Sequence, residues 1–501
     1  MGNPITQDKI KKARERFVHS INPDDVCHLA SSFRDDAPCR VFQPVRHGAF
    51  NICFFVEFYP PPADKGPERW VVRIPMLSSL PLVEEKMEIE LATVSYLPLG
   101  RYVSEKTTIP IPKVHAYSLT ANNSIGLPFT IMDYVEGQNL KDLGFRRGRN
   151  WVKLSGRIPT AATKHLHRQL ADVYIQLRQL EFPRIGALGL PSKGVSLTTC
   201  HADDIQVCNR PLSLEMVLQE SEGLDPSTMI KPKQTYSTSR EFVDALMWLA
   251  DNKLDKSPDL ILDERGAMSV LYAAHHFKKF INDTWLHGAA NNGPFVLMHG
   301  DMNLLYSNLL FDKDYNLVAI IDWEWSLIVP AQFLVPPAWL TGGSLDFIIL
   351  GSTSWFNREV QHLRAAVKDR EAALELQPRL SDEWAPMETG NSSPIASALL
   401  CPEKAYNVYW DLIFKAEFPI TLKTTEADII ERYCKVIFPR ISQFVETSED
   451  RKAFLARKIQ EQTEFFEAEK EYFNLLHVRK VLNESPQRYS SHSKGSPLFD
   501  N

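Results

Sequence analysis

Three polar residues in the middle of the chain stand next to apolar runs at spacings that suit chemistry. Within FVLMHGDMNLLYSNLLFDKDYNLVAIIDWEW, Asp301 follows the first apolar run, Asn308 comes seven residues later, and Asp322 ends the run LVAII. Two carboxylates and one amide on loops fixed by buried strands can hold a magnesium ion and orient a hydroxyl group. Phosphoryl transfer from a nucleotide needs this combination, because its catalysis is mostly positioning and charge stabilisation.

Two short strands must position these residues. NLLF at 308–311 and LVAII at 317–321 predict a hairpin, whose fixed length sets the distance between its open ends. We therefore expect Asn308 and Asp322 to reach the same ion. Asn303 is an alternative amide ligand, but it lies outside that hairpin and lacks its constraint.

A second set of candidate residues lies upstream, where residues 40–75 predict a strand, a turn, a strand, a loop and a further strand. Gly48 in the turn HGAFN allows tight bending and lets backbone N–H groups approach a phosphate, and Asn51 ends that turn. Arg73 is the one charge in the strand WVVRIP, and a guanidinium can make a forked contact with phosphate oxygens or a carboxylate.

An acidic helix follows these strands. Apolar residues recur at helical spacing over Val83–Leu97, which predicts a helix there. Glu90 is the candidate partner for a cation on the preceding strand. Glu88 is the alternative, since a helical register read from sequence is uncertain by a residue or two.

These motifs resemble those of the aminoglycoside phosphotransferase family, which is related to the protein kinases, and in particular its fungal branch. His299-Gly300-Asp301 is similar to the family's HGD motif, and Ile321-Asp322-Trp323-Glu324 to its IDWE element. The resemblance implies that Asp301 is catalytic, that Asn308 and Asp322 bind magnesium, and that His299 and Glu324 have mainly structural roles. It implies ATP and Mg²⁺ as cofactors and a small-molecule hydroxyl as the phosphate acceptor.

The resemblance also assigns nucleotide-binding residues. Arg73 stands where protein kinases carry a lysine, and Glu90 matches the family glutamate that pairs with that position. The segment DYVEG resembles the family's hinge, whose backbone groups hold adenine, which implies nucleotide contacts at Met132 and Tyr134. Gly48 and Asn51 would complete this site. The sequence leaves open whether the nucleotide is ATP or GTP.

One spacing departs from the pattern. Kinase catalytic loops place the metal-binding asparagine five residues after the aspartate, whereas here position five is Tyr306 and Asn308 is at seven. The sequence therefore predicts a two-residue expansion that bulges around Leu304–Tyr306. An expansion that displaced Asp301 would favour a catalytically inactive kinase-like binding or scaffold protein. A protein kinase is the weakest alternative, because the HRD, DFG and APE elements are missing.

Together these features predict an α+β, protein-kinase-like bilobal fold, with a small antiparallel-sheet lobe and a mostly helical lobe. Residues 380–395 are rich in polar and turn-forming residues and predict a surface loop. The expected organisation is an N-terminal helical extension at 1–34, containing a helix at about 7–20, a nucleotide-binding lobe at 35–137, a helical lobe at 138–483 and a disordered tail at 484–501.

Composition excludes several classes of protein. The 501 residues carry a net charge of −6, so no basic surface argues for nucleic acid. No run of 18 apolar residues predicts a transmembrane helix. The seven cysteines include no C-x-x-C pair, and we expect a reducing compartment, the cytoplasm. The start MGNPIT fits a myristoylation pattern, so a lipid anchor at Gly2 is a weak alternative to a plain amphipathic helix.

Overall fold

The computed structural model describes residues 3–490, except for 62–65, 78–80, 95–101, 141, 144–145, 148–151, 154–159, 191–203, 261–262, 287–290, 302–307, 342–344, 389–390 and 418–423. The chain divides into two compact units. One contains residues 1–11, 256–272 and 423 to the C-terminus; the other contains 12–255 and 273–422. This division differs from the expected one, in which residues 138–483 formed a single helical lobe.

The larger unit begins with a small lobe built on a six-stranded antiparallel sheet. Its strands are β1 (Cys39–Val41), β2 (Arg46–His47), β3 (Asn51–Phe58), β4 (Arg69–Pro75), β5 (Val114–Ser118) and β6 (Phe129–Asp133). They lie in the order β1-β3-β4-β6-β5, and β2 pairs with β3. Helix α1 (Pro4–Ser20) begins in the smaller unit and passes into the larger one after Lys11, whereas α2 (Pro23–Ser32), α3 (Val83–Val94) and α4 (Tyr102–Lys106) belong to the larger unit.

Alternation along the strands gives this sheet a buried face. Even-numbered residues of β3, such as Phe54 and Val56, pack with Trp70 and Val72 of β4 against Leu29 of α2. Successive side chains of a strand point to opposite faces. The odd-numbered residues of β3 and β4 therefore face the other way, toward the site described below.

The remainder of the larger unit is mostly helical and includes four small sheets. Its strands are β7 (Arg146–Arg147), β8 (Val152–Lys153), β9 (Glu181–Phe182), β10 (Ala187–Gly189), β11 (Gln206–Asn209), β12 (Phe295–His299), β13 (Leu309–Phe311), β14 (Leu317–Ile320) and β15 (Ser326–Pro330). The sheets are β7-β8, β10-β11, β13-β14 and β15-β12-β9, all antiparallel. The predicted hairpin is thus β13-β14.

The helices of this part follow in chain order. They are α5 (Thr160–Gln179), α6 (Leu214–Ser221), α7 (Ser239–Lys256), α8 (Glu264–Phe280), α9 (Leu345–Phe347), α10 (Thr353–Ala373), α11 (Arg379–Glu383), α12 (Ser392–Leu400), α13 (Ala405–Val408) and α14 (Lys415–Glu417). Helices α7 and α8 both cross the boundary between the two units. The small antiparallel sheet and the helical remainder form the bilobal α+β fold that the sequence predicts.

The smaller unit contains α15 (Glu426–Arg432), α16 (Phe438–Glu446) and α17 (Glu449–Ser490). Lys458 of α17 is fully buried and donates to the backbone oxygen of Ser257 at 2.7 Å. The rings of Tyr272 and Phe444 meet edge to face, with centroids 5.3 Å apart. Residues 256–272 therefore pack with the C-terminal helices in this unit.

Two expectations about local structure are corrected. The predicted surface loop at 380–395 contains α11 and the start of α12, and Leu380 and Ile395 in it are buried. The disordered tail was predicted from residue 484, but α17 continues to Ser490, because Glu, Gln and Arg are polar and also good helix formers. Gly2 and residues 491–501 lie outside the described part of the chain. Within the described residues, no single helix is both long and apolar enough to cross a membrane.

Candidate active site

Strand register brings Arg73 and Asn51 to one face of the small sheet. Arg73 on β4 pairs with Cys53 on β3, and Asn51 stands two residues before Cys53 on the same strand. All three therefore lie on the face opposite α2. Arg73 is only 6% exposed, so its charge needs partners within the protein.

Three carboxylates supply those partners. One terminal nitrogen of Arg73 donates to Glu90. The other contacts Asp322 Oδ1 at 2.8 Å and Glu324 Oε2 at 2.6 Å. Burial works against the charged guanidinium, but Glu90, Glu324 and Asp322 together raise the pKa of Arg73 well above its usual value. Both terminal nitrogens of the Arg73 guanidinium therefore contact carboxylates.

Helix α3 shows which of its glutamates faces this arginine. Glu90 is buried against Arg73, as the resemblance implies. Glu88, the alternative, lies elsewhere on the helix and contacts Lys233 at 3.0 Å and Asn209 at 3.3 Å. One turn away, Glu85 makes a two-pronged contact with the buried Arg210 at 2.7 Å.

Glu324 lies at the centre of the buried network. Its Oε2 atom accepts from Asn51 at 2.8 Å and from Arg73, and it also contacts the ammonium of Lys86. Lys86 is 1% exposed and lies 5.6 Å from the ring centre of Trp325. Burial acts to raise the pKa of Glu324, but Lys86, Arg73 and Asn51 outweigh it and hold that pKa below its ordinary value.

Lys86 was missed in the sequence, although a signal was present. It precedes Glu90 by four residues, so the two share a helix face. Glu90 was already expected to point inward. A lysine on the same face therefore had to be paired or buried too. Its partner, Glu324, joins α3 to the segment that follows Asp322.

Asp301 and Asn308 form the edge of the site next to the HGD turn. The Asn308 amide nitrogen donates to Asp301 Oδ2 at 3.0 Å, and the Asn308 side chain is buried. The Asn308 backbone oxygen accepts from the Ile321 N–H at 2.9 Å, which holds Asn308 beside the end of β14. Burial raises the pKa of Asp301 to about 6; Asn308 opposes this shift, and the charges of Asp322 and Glu324 add to it.

Neighbouring residues fix the HGD turn. A Cβ on Gly300 would meet the backbone oxygen of Trp325 at 2.2 Å, so only glycine fits there. The His299 ring lies 2.9 Å from the Ile321 backbone oxygen and packs edge to face on Trp323. Burial lowers the pKa of His299 to about 4, so the ring is neutral near pH 7. His299 therefore has the structural role expected of it.

Asp322 occupies the turn between β14 and the segment Trp323–Trp325, with φ at 63°. This left-handed conformation is uncommon outside glycine and is enriched at strained functional positions. The Asp322 side chain keeps 37% of its surface exposed, whereas that of Glu324, two residues later, keeps 5%. Asp322 thus contacts Arg73 and still presents surface outside the network.

The remaining predicted nucleotide residues already have partners within the chain. The Gly48 N–H donates to the Asn51 backbone oxygen at 3.0 Å, and a Cβ at Gly48 would meet nothing within 4 Å. Met132 lies in β6 opposite Val71. The Tyr134 N–H donates to the Arg69 backbone oxygen at 3.0 Å, and its hydroxyl accepts from Gln43 at 2.8 Å.

The structure therefore brings Arg73, Glu90, Asp301, Asn308 and Asp322 together, with Asn51 joined to them through Glu324. Asn303, Leu304 and Tyr306 belong to 302–307, outside the described residues. Whether Asn308 rather than Asn303 lies nearer Asp322 thus stays a prediction.

The family model for the phosphotransferase enzyme family matches residues 43–333, from the turn before Gly48 to beyond Glu324. The match spans more than half of the chain and contains every residue of the site. The chain belongs to the phosphotransferase enzyme family. Its bilobal α+β fold is that of a kinase-like phosphotransferase.

Curated relatives match this family member only over short segments. The Altered inheritance of mitochondria protein 9, mitochondrial, of Zygosaccharomyces rouxii is 28% identical over 24% of this chain and 18% of its own length. A subtelomeric hrmA-associated cluster protein of Aspergillus fumigatus is 28% identical over 30% of this chain and 25% of its own length. The matches thus span a quarter or less of each relative.

Two solved phosphotransferase structures are distantly similar. The GDP complex of wild-type aminoglycoside 2'-phosphotransferase-IIIa has a TM-score of 0.37 and 16% identity, over 77% of this chain and 99% of that one. Macrolide 2'-phosphotransferase type I has a TM-score of 0.34 and 11% identity, over 83% of this chain and 98% of that one. At this distance neither structure assigns a substrate to this family member.

Proposed function

We propose that this protein transfers the γ-phosphoryl group of ATP to a hydroxyl group of a small molecule, in a magnesium-dependent reaction. The observation that supports the proposal is the hydrogen bond between Asn308 and Asp301 beside Asp322, in a site that also holds the Arg73–Glu90 pair. Each residue type matches a task of phosphoryl transfer, namely orienting the hydroxyl, holding a metal ion and balancing charge.

Asp301 accepts the hydrogen bond of the acceptor hydroxyl and aligns its oxygen with the γ-phosphate. Asn308 fixes the orientation of the carboxylate through Oδ2, which leaves Oδ1 for the substrate. A pKa of about 6 leaves Asp301 ionised near pH 7 and makes it a better proton acceptor than an ordinary aspartate.

The donor set fits magnesium. Asp322 supplies a carboxylate and Asn308 an amide oxygen, and magnesium is usually held by one or two carboxylates together with substrate phosphates. In the described part of the chain, no group of three or more His, Cys, Asp or Glu side chains is placed to hold a metal by itself. When held by Asp322 and Asn308, the ion would supply positive charge that stabilises the transferring phosphate.

Charge balance supports the same conclusion. Among the described residues of the site, two cations, Arg73 and Lys86, face four carboxylates: Glu90, Asp301, Asp322 and Glu324. Burial raises the pKa of Glu90, of Asp322 and of Asp301, so a bound cation would favour full ionisation of the four carboxylates. Their formal excess of two negative charges matches one divalent cation. Carboxylates contact both terminal nitrogens of Arg73. Its role is therefore to hold Asp322 and Glu324 in place rather than to bind phosphate.

The test is a calorimetric titration of the full-length protein with ATP and with GTP, each with magnesium and with a chelator. A panel of hydroxyl metabolites is then screened with labelled ATP. We expect magnesium-dependent binding of ATP, transfer of label to one class of acceptor, and loss of the magnesium effect in Asp322→Ala. Unchanged affinity of that variant for magnesium-ATP would contradict the role given to Asp322.

The alternative is a kinase-like binding protein without turnover. The two-residue expansion between Asp301 and Asn308 and the full engagement of Arg73 favour it. Magnesium-dependent nucleotide binding with no acceptor turnover, and with no difference between the wild type and Asp301→Asn in nucleotide hydrolysis, would establish that alternative.

We also propose that the protein works in a reducing compartment, the cytoplasm, without nucleic-acid partners. The six cysteines within the described residues are free thiols, and the net charge of −6 gives no attraction to phosphate backbones. A fluorescent fusion tests the location: exclusive co-localisation with a mitochondrial marker would contradict it. A salt-dependent shift of labelled DNA or RNA by the purified protein would contradict the second part.

A further inference from the structure

A cavity of about 670 Å³ lies at the end of β12 and β15 that is remote from Asp301. Pro294, just before β12, and Pro330, the last residue of β15, both line it. Phe295 pairs with Pro330 at this end, while His299 pairs with Ser326 at the catalytic end. Four residue steps at about 3.4 Å place the two ends roughly 13 Å apart. The cavity is therefore separate from the site around Asp301.

The walls of the cavity are largely apolar. Phe280 and Trp285 come from the end of α8 and the turn after it, and Met387 and Ile395 come from the other side. The Trp285 ring packs edge to face on Phe333, with centroids 5.3 Å apart, which fixes its orientation. The volume falls within the range of about 300–1,000 Å³ that is usual for small-molecule sites.

Among the described residues that line the cavity, the one carboxylate, Glu383, has its charge balanced. Both oxygens of Glu383 accept hydrogen bonds from Arg178, at 2.8 and 2.7 Å, and the Arg178 side chain is 4% exposed. Arg178 also contacts Glu181 at 2.8 Å, and Glu181 pairs with Arg379, so this cluster of two arginines and two glutamates carries no net formal charge. A ligand would therefore meet a neutralised cluster rather than a net charge. This favours an uncharged ligand over an anion or a cation.

One polar group on the wall lacks a partner. The Gln332 amide nitrogen is buried and makes no hydrogen bond within the described part of the chain. Buried polar groups in folded proteins are nearly always hydrogen-bonded, so an orphan donor calls for an acceptor. Gln332 lines the cavity, and rotation of its side chain toward the cavity would let a ligand oxygen supply that acceptor.

We propose that this cavity is a second binding site, for a neutral, ring-containing small molecule that carries a hydrogen-bond-accepting oxygen. Phe280 and Trp285 contact the ring system, and Gln332 donates to the oxygen. The inference does not depend on the proposed phosphotransferase activity, because it involves none of the residues around Asp301.

The probe for the test is Prodan, a neutral naphthalene ketone whose emission shifts to the blue on leaving water. We expect saturable binding of one Prodan per protein, unaffected by excess magnesium-ATP. Ile395→Trp and Met387→Trp fill the cavity and should weaken binding at least tenfold. The matched control is Leu350→Trp, which adds the same ring at a side chain that is 77% exposed and does not line the cavity. It should bind as the wild type does.

Gln332→Leu tests the hydrogen bond at nearly constant volume and should weaken Prodan binding by roughly three- to tenfold. Circular dichroism and thermal unfolding establish which variants are folded. If neither cavity-filling variant folds, the Prodan affinity of Gln332→Leu tests the proposal. Wild-type affinity in every folded cavity variant, displacement of the dye by magnesium-ATP, or absence of saturable binding would each overturn the proposal.

Discussion

Two neighbouring parts of the site treat negative charge in opposite ways. Glu324 is almost completely buried, and its Oε2 atom is surrounded by Arg73, Lys86 and Asn51, which lower its pKa. Asp301 has one described side-chain partner, Asn308, and its pKa is raised to about 6. The hydrogen-bonding capacity of Glu324 Oε2 is therefore filled by residues of the protein, whereas the Asp301 carboxylate can still accept a further hydrogen bond.

This difference separates Glu324, whose carboxylate has a structural role, from Asp301, which is the proposed proton acceptor. A buried charge without a partner is strongly unfavourable, so breaking the Glu324 network should destabilise the folded chain. A carboxylate with a raised pKa and a spare oxygen instead suits proton acceptance. The IDWE glutamate, for which a mainly structural role was expected, joins Arg73, Lys86 and Asn51 within the site.

The largest expected effect is on the free energy of unfolding, when Glu324 is replaced. Glu324→Gln leaves Arg73 and Lys86 as buried cations with too little negative charge. The free energy of unfolding should fall by about 3–5 kcal/mol, the usual result of breaking a buried ion pair. Urea denaturation, followed by far-UV circular dichroism, measures the change.

The matched control is Glu57→Gln. Glu57 also contacts two arginines, Arg40 and Arg69, but their side chains are 69% and 31% exposed, so water can replace the carboxylate. Its free energy of unfolding should change much less. Equal losses in the two variants would mean that the burial of Glu324 has no special importance.

The second prediction concerns Asp301, the proposed proton acceptor. Asp301→Asn keeps the size of the side chain but removes the carboxylate that orients the acceptor. Turnover should fall by about 10²–10⁴-fold, the usual range for loss of a general base. The free energy of unfolding should stay the same or rise, because a negative charge near Asp322 and Glu324 is removed.

Asp314→Asn serves as the control for that variant, since Asp314 is an exposed carboxylate on the turn of the same hairpin. It should leave turnover unchanged. Asp301→Asn with full activity would remove Asp301 from the mechanism and favour another proton acceptor.

Local patterns predicted much of this arrangement. Apolar-rich runs predicted β3 and β4, helical spacing predicted α3 from Val83, and the runs NLLF and LVAII predicted the β13-β14 hairpin. The Arg73–Glu90 pair followed from the resemblance to the family. These features depend on residues close in sequence or on a shared motif order, which is why the chain alone indicates them.

Features that depend on distant packing were not predictable in this way. The contact between Lys86 and Glu324 joins residues 238 positions apart, and nothing local indicates which carboxylate a helical lysine will find. Residues 380–395 look polar enough for a surface loop. However, Ser381 and Ser393 in that segment are buried, and their hydroxyls bond to the Pro378 and Pro336 backbone oxygens.

The third prediction tests the missed residue. Lys86→Met removes a cation from Glu324 but leaves Arg73 and Asn51 bound to it. The free energy of unfolding should therefore fall by about 1.5–3 kcal/mol, the usual value of a hydrogen bond to a charged group, which is less than the loss in Glu324→Gln. Lys86→Arg keeps the charge and should recover part of the loss. Urea denaturation of both variants measures this, and a loss in Lys86→Met as large as that in Glu324→Gln would contradict the ranking.

The fourth prediction concerns the pH dependence of stability that Asp301 contributes in the absence of metal and nucleotide. Its pKa is about 6 in the folded protein, above the value of about 3.9 for an unfolded aspartate. Between these values the folded state holds a proton that the unfolded state has lost. The stability due to this group is therefore fully present below about pH 4 and is lost as the pH rises through about 6.

Asp301→Asn cannot titrate, so the difference in free energy of unfolding, wild type minus variant, should fall between pH 4 and 7 and then become constant. Urea denaturation at half-unit pH intervals in chelator gives that difference, in which other groups such as His299 largely cancel. A difference that is flat, or that rises with pH, would mean that the Asp301 carboxylate is satisfied as fully as Glu324 and would remove the contrast between the two.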